Sequence, residues 1–142
     1  PNSDSGSYEM IKVIDEYTEK YDFIKAFKTL PRDIFVNLQR KAALLLGNSS
    51  CGILEAPFLK LPVVNVGNRQ KQRQHSENII FVPHNKESIK KAINKVINDE
   101  NFKNICKKCS NPYGDGYSGE RIARIIAETE INDKLINKQI VY

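Results

Sequence analysis

Residues 46–55 of the chain read LGNSSCGILE, and this stretch decides the fold. The apolar run at residues 43–46 is typical of a buried strand, and the glycine and asparagine that follow it are typical of a turn. We predict a short helix over residues 52–59, which Pro57 should kink or end early. A strand that leads through a turn into a helix is the repeating unit of α/β proteins.

The remaining sequence continues this alternation of short apolar runs and amphipathic segments. Strand-sized apolar runs occur at residues 22–27, 61–66 and 78–82. Apolar residues recur at helical spacing in residues 10–21, 31–41, 86–98 and 119–129. This order predicts the α/β class, with a Rossmann-like parallel sheet that carries helices on both faces.

The composition is that of one globular domain. The chain has 142 residues, of which 40% are hydrophobic and 27% are charged. No apolar run approaches the length of about 18 residues that a membrane-spanning helix needs, which excludes that class. The net charge of +5 is compatible with an anionic ligand. No nucleic-acid-binding module accompanies this charge, so an RNA-binding domain is the less favoured alternative.

The first residues and the cysteines bear on the extent of the chain and on its redox compartment, and they indicate no catalytic or metal site. The chain opens with PNSD, in turn-forming residues and without an initiator methionine or a signal peptide, so we expect a fragment whose preceding strand is missing. Three cysteines are an odd number, which favours a reducing cytoplasm over a disulfide framework. Cys106 and Cys109 form a C-x-x-C pair, but neither His75 nor His84 lies where it would complete a tetrahedral zinc site. We predict no metal ion and no cofactor.

The turn after the predicted strand at residues 43–46 carries groups that suit a phosphate. Ligands of open parallel sheets bind at the carboxyl ends of the strands, where this turn should lie. Ser49 and Ser50 offer hydroxyl donors there, and the start of the following helix offers unpaired N–H groups. The alternative is that a serine caps the helix and that no ligand binds.

Two charged residues extend this candidate site. Glu55 is expected about 5 Å along the helix axis from its start, where a carboxylate can accept hydrogen bonds from a pair of ribose hydroxyls. Its alternative role is favourable charge placement in a first helical turn. Arg69 follows the next strand, whose carboxyl end should neighbour the serine turn, and its guanidinium suits phosphate oxygens. Lys71 and Arg73 in the same loop are better explained as solvated charges.

Three motifs, taken in order, carry a resemblance to a known family. They are GNSSCGILE at residues 47–55, PVVNVGNRQ at 62–70 and NPYGDG at 111–116. Together with the opening PNSDSG, they closely resemble the hydrolysing UDP-N-acetylglucosamine 2-epimerases. The resemblance extends from residue 1 to about residue 127.

The resemblance implies an architecture. The family has two Rossmann-like domains in the glycosyltransferase type B arrangement, with the active site between them. Residues 1–128 resemble most of the second, UDP-binding domain, and residues 129–142 are then a C-terminal tail. The implied partners are a UDP-sugar substrate, the N-terminal Rossmann-like domain of the same chain and further copies in a homo-oligomer, with no nucleic acid and no membrane.

The family pattern also implies which residues meet the nucleotide. The six implied contacts are Ser49 and Ser50 at the diphosphate, Glu55 at the ribose hydroxyls, Arg69 at the nucleotide-sugar, Asn2 in the UDP site and the backbone of Leu30 at the uracil. The acid/base carboxylates and the active-site histidine of the family belong to parts absent from this chain, and neither His75 nor His84 matches that histidine. No catalytic residue is therefore assigned, and the chain alone is predicted to be inactive.

The implied reaction is an elimination followed by a hydration. UDP leaves C1 as the C2 proton is removed, which gives a glycal, and water then adds to yield free N-acetylmannosamine. Three alternatives stay open: a non-hydrolysing 2-epimerase that retains UDP on its product, a hydrolysing enzyme for a UDP-diacetamido-trideoxy sugar, and a non-catalytic UDP-binding module.

Overall fold

The computed structural model describes residues 5–137. The helices are α1 (Ser7–Lys20), α2 (Arg32–Lys41), α3 (Cys51–Leu54), α4 (Lys86–Asn98), α5 (Glu100–Lys108), α6 (Ser118–Glu128) and α7 (Asp133–Ile136). The strands are β1 (Leu45–Gly47), β2 (Val63–Val66) and β3 (Ile79–Val82). Within residues 5–137, no helix is both long enough and apolar enough to cross a membrane.

The described part of the chain divides into two compact units, residues 5–38 and residues 39–137. In the first unit, α1 buries none of its residues, and with residues 24–28 it lines an open, mainly apolar cavity of about 830 Å³. The second unit contains the sheet and the candidate site. The domain bounds at residues 128 and 129 stay a prediction.

The sheet of the second unit is parallel throughout, with strand order β1-β2-β3. Leu45 pairs with Val63 at one end of the β1–β2 ladder, and Gly47 pairs with Asn65 at the other. Each crossover between these strands passes out of the sheet and returns in the same direction, as a parallel arrangement requires. The predicted parallel α/β fold is confirmed.

The two faces of β2 have different partners because successive side chains of a strand point to opposite sides. Val64 packs in a buried cluster with residues of the helices that follow the sheet, including Ala92 and Val96 of α4 and Phe102 of α5. Val63 belongs to a separate cluster that contains Ala56, from the segment after α3.

Helix α3 covers the Val63 face of the sheet through Gly52. A Cβ on Gly52 would lie 3.0 Å from Cγ1 of Val63 and 3.5 Å from Cδ2 of Leu45, so the helix backbone approaches both strands closely. Because α4 covers the opposite face, the prediction of helices on both faces is also confirmed.

One predicted strand is wrong. Residues 22–27 are an irregular segment that opens with a turn, in which the N–H of Ile24 donates to the carbonyl of Tyr21 at 3.0 Å. Phe23 is 82% exposed and Phe27 is 63% exposed. A strand needs a hydrogen-bonded neighbour, and within residues 5–137 this segment pairs with none.

Two helices differ from the sequence-based expectation. The helix predicted over residues 52–59 ends at Leu54 and continues as consecutive turns, because Pro57 cannot donate to a longer ladder. Helix α5 was not predicted, although its signal is present in the sequence. Asp99 accepts hydrogen bonds from the N–H groups of Asn101 and Phe102, which is a side-chain cap at the helix start.

Candidate functional site

The turns that follow β1 and β2 lie side by side at the carboxyl edge of the sheet. The side-chain amide of Gln70 donates from Nε2 to the carbonyl of Asn48 over 3.0 Å. Asn48 directly precedes Ser49, and Gln70 directly follows Arg69. The expectation that the Arg69 turn neighbours the serine turn is therefore confirmed.

The two serines have different local roles. Ser49 is exposed, and its Oγ accepts a long hydrogen bond of 3.4 Å from the N–H of Cys51. Ser50 is half-buried, and its carbonyl accepts from the N–H groups of Ile53 and Leu54 at 2.9 Å. Its hydroxyl makes no capping bond within the described part of the chain. The N-cap residue of α3 is Ser50, so α3 has no side-chain cap, and the bond to Oγ of Ser49 is a local turn contact just before the helix.

Helix α3 is one turn long, which limits its contribution to anion binding. It comprises only Cys51–Leu54, so few peptide dipoles add up along its axis. The expectation of unpaired N–H groups at its start is wrong. The N–H of Gly52 donates to the carbonyl of Ser49 at 3.2 Å, and the N–H of Cys51 donates to Oγ of the same serine. The donors that the turn offers an anion are therefore the serine hydroxyls.

Glu55 lies at the end of α3 and not within it. It is half-buried, and its N–H closes the last turn by donating to the carbonyl of Cys51 at 2.9 Å. The first turn of α3 contains no acidic residue. A carboxylate at the carboxyl end of a helix gains nothing from the dipole. The alternative role, charge placement in a first helical turn, is therefore wrong.

Arg69 is exposed in a turn at the carboxyl end of β2. The turn is closed by a hydrogen bond of 3.1 Å from the N–H of Lys71 to the carbonyl of Asn68. Among residues 5–137, no carboxylate forms an ion pair with Arg69, whereas Arg121 is held by Asp115. Within the described part of the chain, the guanidinium is thus an exposed positive charge at this edge of the sheet.

The segment at residues 111–116 forms hydrogen bonds to α3 and to the loop after β2. The amide of Asn111 donates to the carbonyl of Leu54, the last residue of α3, at 2.9 Å. The hydroxyl of Tyr113 donates to the carbonyl of Gln74, in the loop after β2, also at 2.9 Å. The third motif of the sequence thus contacts the segments that carry the first two.

An ion pair fixes the start of α6 next to this segment. Arg121 donates to both carboxylate oxygens of Asp115, at 2.8 Å and 2.5 Å. The hydrogen bonds from Arg121 and from the N–H of Tyr117 hold the pKa of Asp115 well below its usual range. Asp115 is therefore ionised at neutral pH and is engaged within the protein.

The cysteine, histidine and acidic side chains of the described residues form no metal site. No group of three histidine, cysteine or acidic side chains within residues 5–137 is arranged to hold a metal ion. Cys106 and Cys109 are buried and free. Burial, and to a lesser extent the neighbouring Cys109, raises the pKa of Cys106 to about 11. That thiol is therefore not a nucleophile at neutral pH.

The nucleotide contacts that the resemblance implies stay predictions at all six residues, and two of these residues lie apart from the turns described above. Asn2 lies outside the described residues. Leu30 belongs to the first unit and is half-buried. It is followed by Pro31, after which α2 begins.

Sequence reasoning gave no role to two residues at the carboxyl edge of the sheet. They are Gln70, which is 3% exposed, and His84, which follows β3 and contacts Gly67. Gln70 stands within a motif that the resemblance used, but nothing in the sequence distinguishes its burial from the exposure of its neighbours.

Comparisons with known proteins agree on one family. Residues 1–127 match the family described as UDP-N-acetylglucosamine 2-epimerase. The chain is 35% identical, over its whole length and 36% of the relative's, to a Legionella pneumophila protein named UDP-N,N′-diacetylbacillosamine 2-epimerase (hydrolyzing). It is 33% identical, over 79% of its length and 28% of the relative's, to an Escherichia coli protein named polysialic acid biosynthesis protein P7.

A solved structure agrees on the fold. A crystal structure of UDP-N-acetylglucosamine 2-epimerase superposes with a TM-score of 0.65 at 23% identity, over 81% of this chain and 32% of that one. The chain thus spans about a third of the length of the relatives that it matches.

Proposed function

The chain belongs to the UDP-N-acetylglucosamine 2-epimerase family, and we propose that it supplies the UDP-binding part of a hydrolysing UDP-sugar 2-epimerase. The observation that carries the proposal is the hydrogen bond from Gln70 to Asn48. It holds the turn with the two serines beside the turn with Arg69 at the ligand-binding edge of a parallel sheet.

The side chains proposed to bind UDP have chemistry that suits its parts. The hydroxyls of Ser49 and Ser50 and the guanidinium of Arg69 are donors suited to the diphosphate. The carboxylate of Glu55, at the far end of the one-turn helix, is an acceptor suited to the ribose hydroxyls. Leu30 and Asn2 complete the proposed set, at the uracil and in the UDP site.

The proposed chemistry is departure of UDP from the sugar. The C1–O bond to the diphosphate breaks as the C2 proton is removed, which gives a glycal. Water then adds its hydroxyl to C1, and a proton returns to C2, which gives the free epimerised sugar and UDP. Fixed donors stabilise the charge that develops on the leaving diphosphate. The proposed role of this chain is to supply those donors and not the acid and base.

Two sugars are candidates for the substrate. UDP-N-acetylglucosamine would yield free N-acetylmannosamine and UDP. The second candidate is a UDP-diacetamido-trideoxy sugar. It is supported by the match, over the whole of this chain, to the Legionella protein named for UDP-N,N′-diacetylbacillosamine. The residues at the carboxyl edge of the sheet are proposed to meet the UDP moiety, which both substrates share.

Product analysis tests the proposal. The full-length protein is incubated in D₂O with UDP-N-acetylglucosamine, and in parallel with the UDP-diacetamido-trideoxy sugar, and proton NMR follows the products. We expect UDP and a free 2-epimerised sugar with deuterium at C2 from one of the two. A product that retains UDP would move the assignment to a non-hydrolysing epimerase. UDP binding without turnover of either substrate would support a non-catalytic module. A cytoplasmic location and a homo-oligomer are part of the proposal and are tested by fractionation and by light scattering.

A further inference from the structure

Gln70 is a buried polar residue in an otherwise exposed loop. It is 3% exposed, whereas Asn68, Arg69, Lys71 and Gln72 on either side of it are exposed. A buried amide is costly unless it is hydrogen-bonded, so its burial requires a structural or functional reason.

The amide of Gln70 has one defined orientation. Nε2 donates to the carbonyl of Asn48 over 3.0 Å. The reversed amide would bring Oε1 against that carbonyl, so that two acceptors would face each other. This bond joins a side chain to a backbone carbonyl 22 residues earlier in the chain. Its acceptor Asn48 adjoins Ser49, and its donor Gln70 adjoins Arg69.

The other half of the amide is not satisfied within the protein. Oε1 of Gln70 is buried and has no hydrogen-bond partner among the described residues. A glutamine retained for stability alone would be expected to pair at both ends, because an unpaired buried acceptor is unfavourable. The bond to Asn48 is therefore present in spite of the cost of leaving Oε1 unpaired.

We propose that Gln70 is a positioning residue of the diphosphate site, which holds the Ser49–Ser50 turn at a fixed distance from Arg69. This inference rests on the proposed function. Since Gln70 acts on the turn through the carbonyl of Asn48, its loss should disturb the contacts to phosphate and leave those to the base and the ribose unchanged.

The test compares UDP with uridine, which lacks the phosphates, in the full-length protein. Gln70→Met keeps the length of the side chain and removes both the donor and the unpaired acceptor. Gln70→Glu keeps the shape but places a second acceptor, with a negative charge, against the carbonyl of Asn48. Gln72→Met is the matched control, because Gln72 is exposed in the same loop.

We expect Gln70→Met to weaken UDP binding about tenfold by calorimetry, as for loss of a hydrogen bond that supports charged contacts. Gln70→Glu should weaken it further. Uridine affinity, measured by competition, should stay within about twofold of wild type in both variants, and Gln72→Met should bind both ligands as wild type does. Thermal unfolding without ligand shows that each variant is folded.

Unchanged UDP affinity in both Gln70 variants would overturn the inference, as would equal losses for UDP and uridine. The second pattern would mean that Gln70 supports the fold alone. If one variant does not fold, the other decides. Failure of the proposed function looks different, because the wild-type protein would then bind neither UDP nor uridine.

Discussion

The imidazole of His84 occupies the space that a side chain on Gly67 would need. A Cβ on Gly67 would lie 2.4 Å from Cε1 and 2.6 Å from Nε2 of that ring. Gly67 also has a φ of +84°, which side-chain-bearing residues rarely adopt. Its N–H donates to the carbonyl of Val82 at 2.8 Å, so the turn that leads to Arg69 is fixed against the end of β3.

Gly67→Ala should therefore destabilise the fold. We expect a loss of about 1–3 kcal/mol in the free energy of unfolding, from the left-handed backbone and from the displaced imidazole. Chemical denaturation measures this loss. Gly119→Ala is the control, since Gly119 lies in α6 with nothing within 4 Å of an added methyl group, and alanine there should be neutral or stabilising. Equal effects at both positions would contradict the explanation.

Glu55→Ala should weaken UDP binding by about 1–3 kcal/mol, the range for losing a charged hydrogen-bond partner. The proposed partner is the pair of ribose hydroxyls, so the variant should lose less affinity for 2′-deoxy-UDP than for UDP. Calorimetry with both nucleotides measures the two losses. Identical losses for the two nucleotides would mean that Glu55 does not contact the 2′-hydroxyl. Equal UDP affinity in wild type and variant would mean that Glu55 is not part of the UDP site.

Arg69→Ala should reduce UDP affinity by about 1.5–3 kcal/mol and uridine affinity much less, because the guanidinium is proposed to meet phosphate. Arg73→Ala is the matched control, since it removes the same charge from an exposed position in the same loop. A general electrostatic effect would appear in both variants and would be screened by salt. Similar UDP affinities in the two variants would assign the effect to net charge rather than to a contact.

Asp115→Asn should change how stability depends on pH. The pKa of Asp115 is lower in the folded protein than in the unfolded chain, so the contribution of its ion pair with Arg121 is complete above a pH of about 4. That contribution is lost as the pH falls through the lower, folded-state pKa. We expect the variant to have a lower thermal midpoint than wild type at pH 6 and the difference to shrink towards pH 2. A constant difference across this range would contradict the assignment.

Local patterns were sufficient for the elements whose signals are contained in a short window. Residues 86–98 are helical as predicted, because apolar residues recur on one face and Asn85 caps the start by accepting from the N–H of Ser88. The strands near residues 43–46, 61–66 and 78–82 were also found from their apolar runs. Helix α5 could have been found from its cap at Asp99.

The missed features depend on partners that are distant in sequence. Residues 22–27 have the composition of a strand, but strand formation depends on a neighbour with which to pair. Glu55 was expected inside a helix, but the turns after Leu54 place it at the helix end. The side chains of Gln70 and Gln72 are identical, and only packing makes one buried and leaves the other exposed.

The sequence by itself determined the α/β class, the parallel order of strands and helices, the family and the serine and arginine turns as a candidate site. These features can be predicted because hydrophobic periodicity, turn-forming residues and motifs each involve only residues that are close together in the sequence. Tertiary structure alone decided that Gln70 bonds to Asn48, that Asn111 bonds to Leu54 and that His84 contacts Gly67. These contacts join residues that are 22, 57 and 17 positions apart, and such contacts exist only once the sheet has brought its carboxyl ends together.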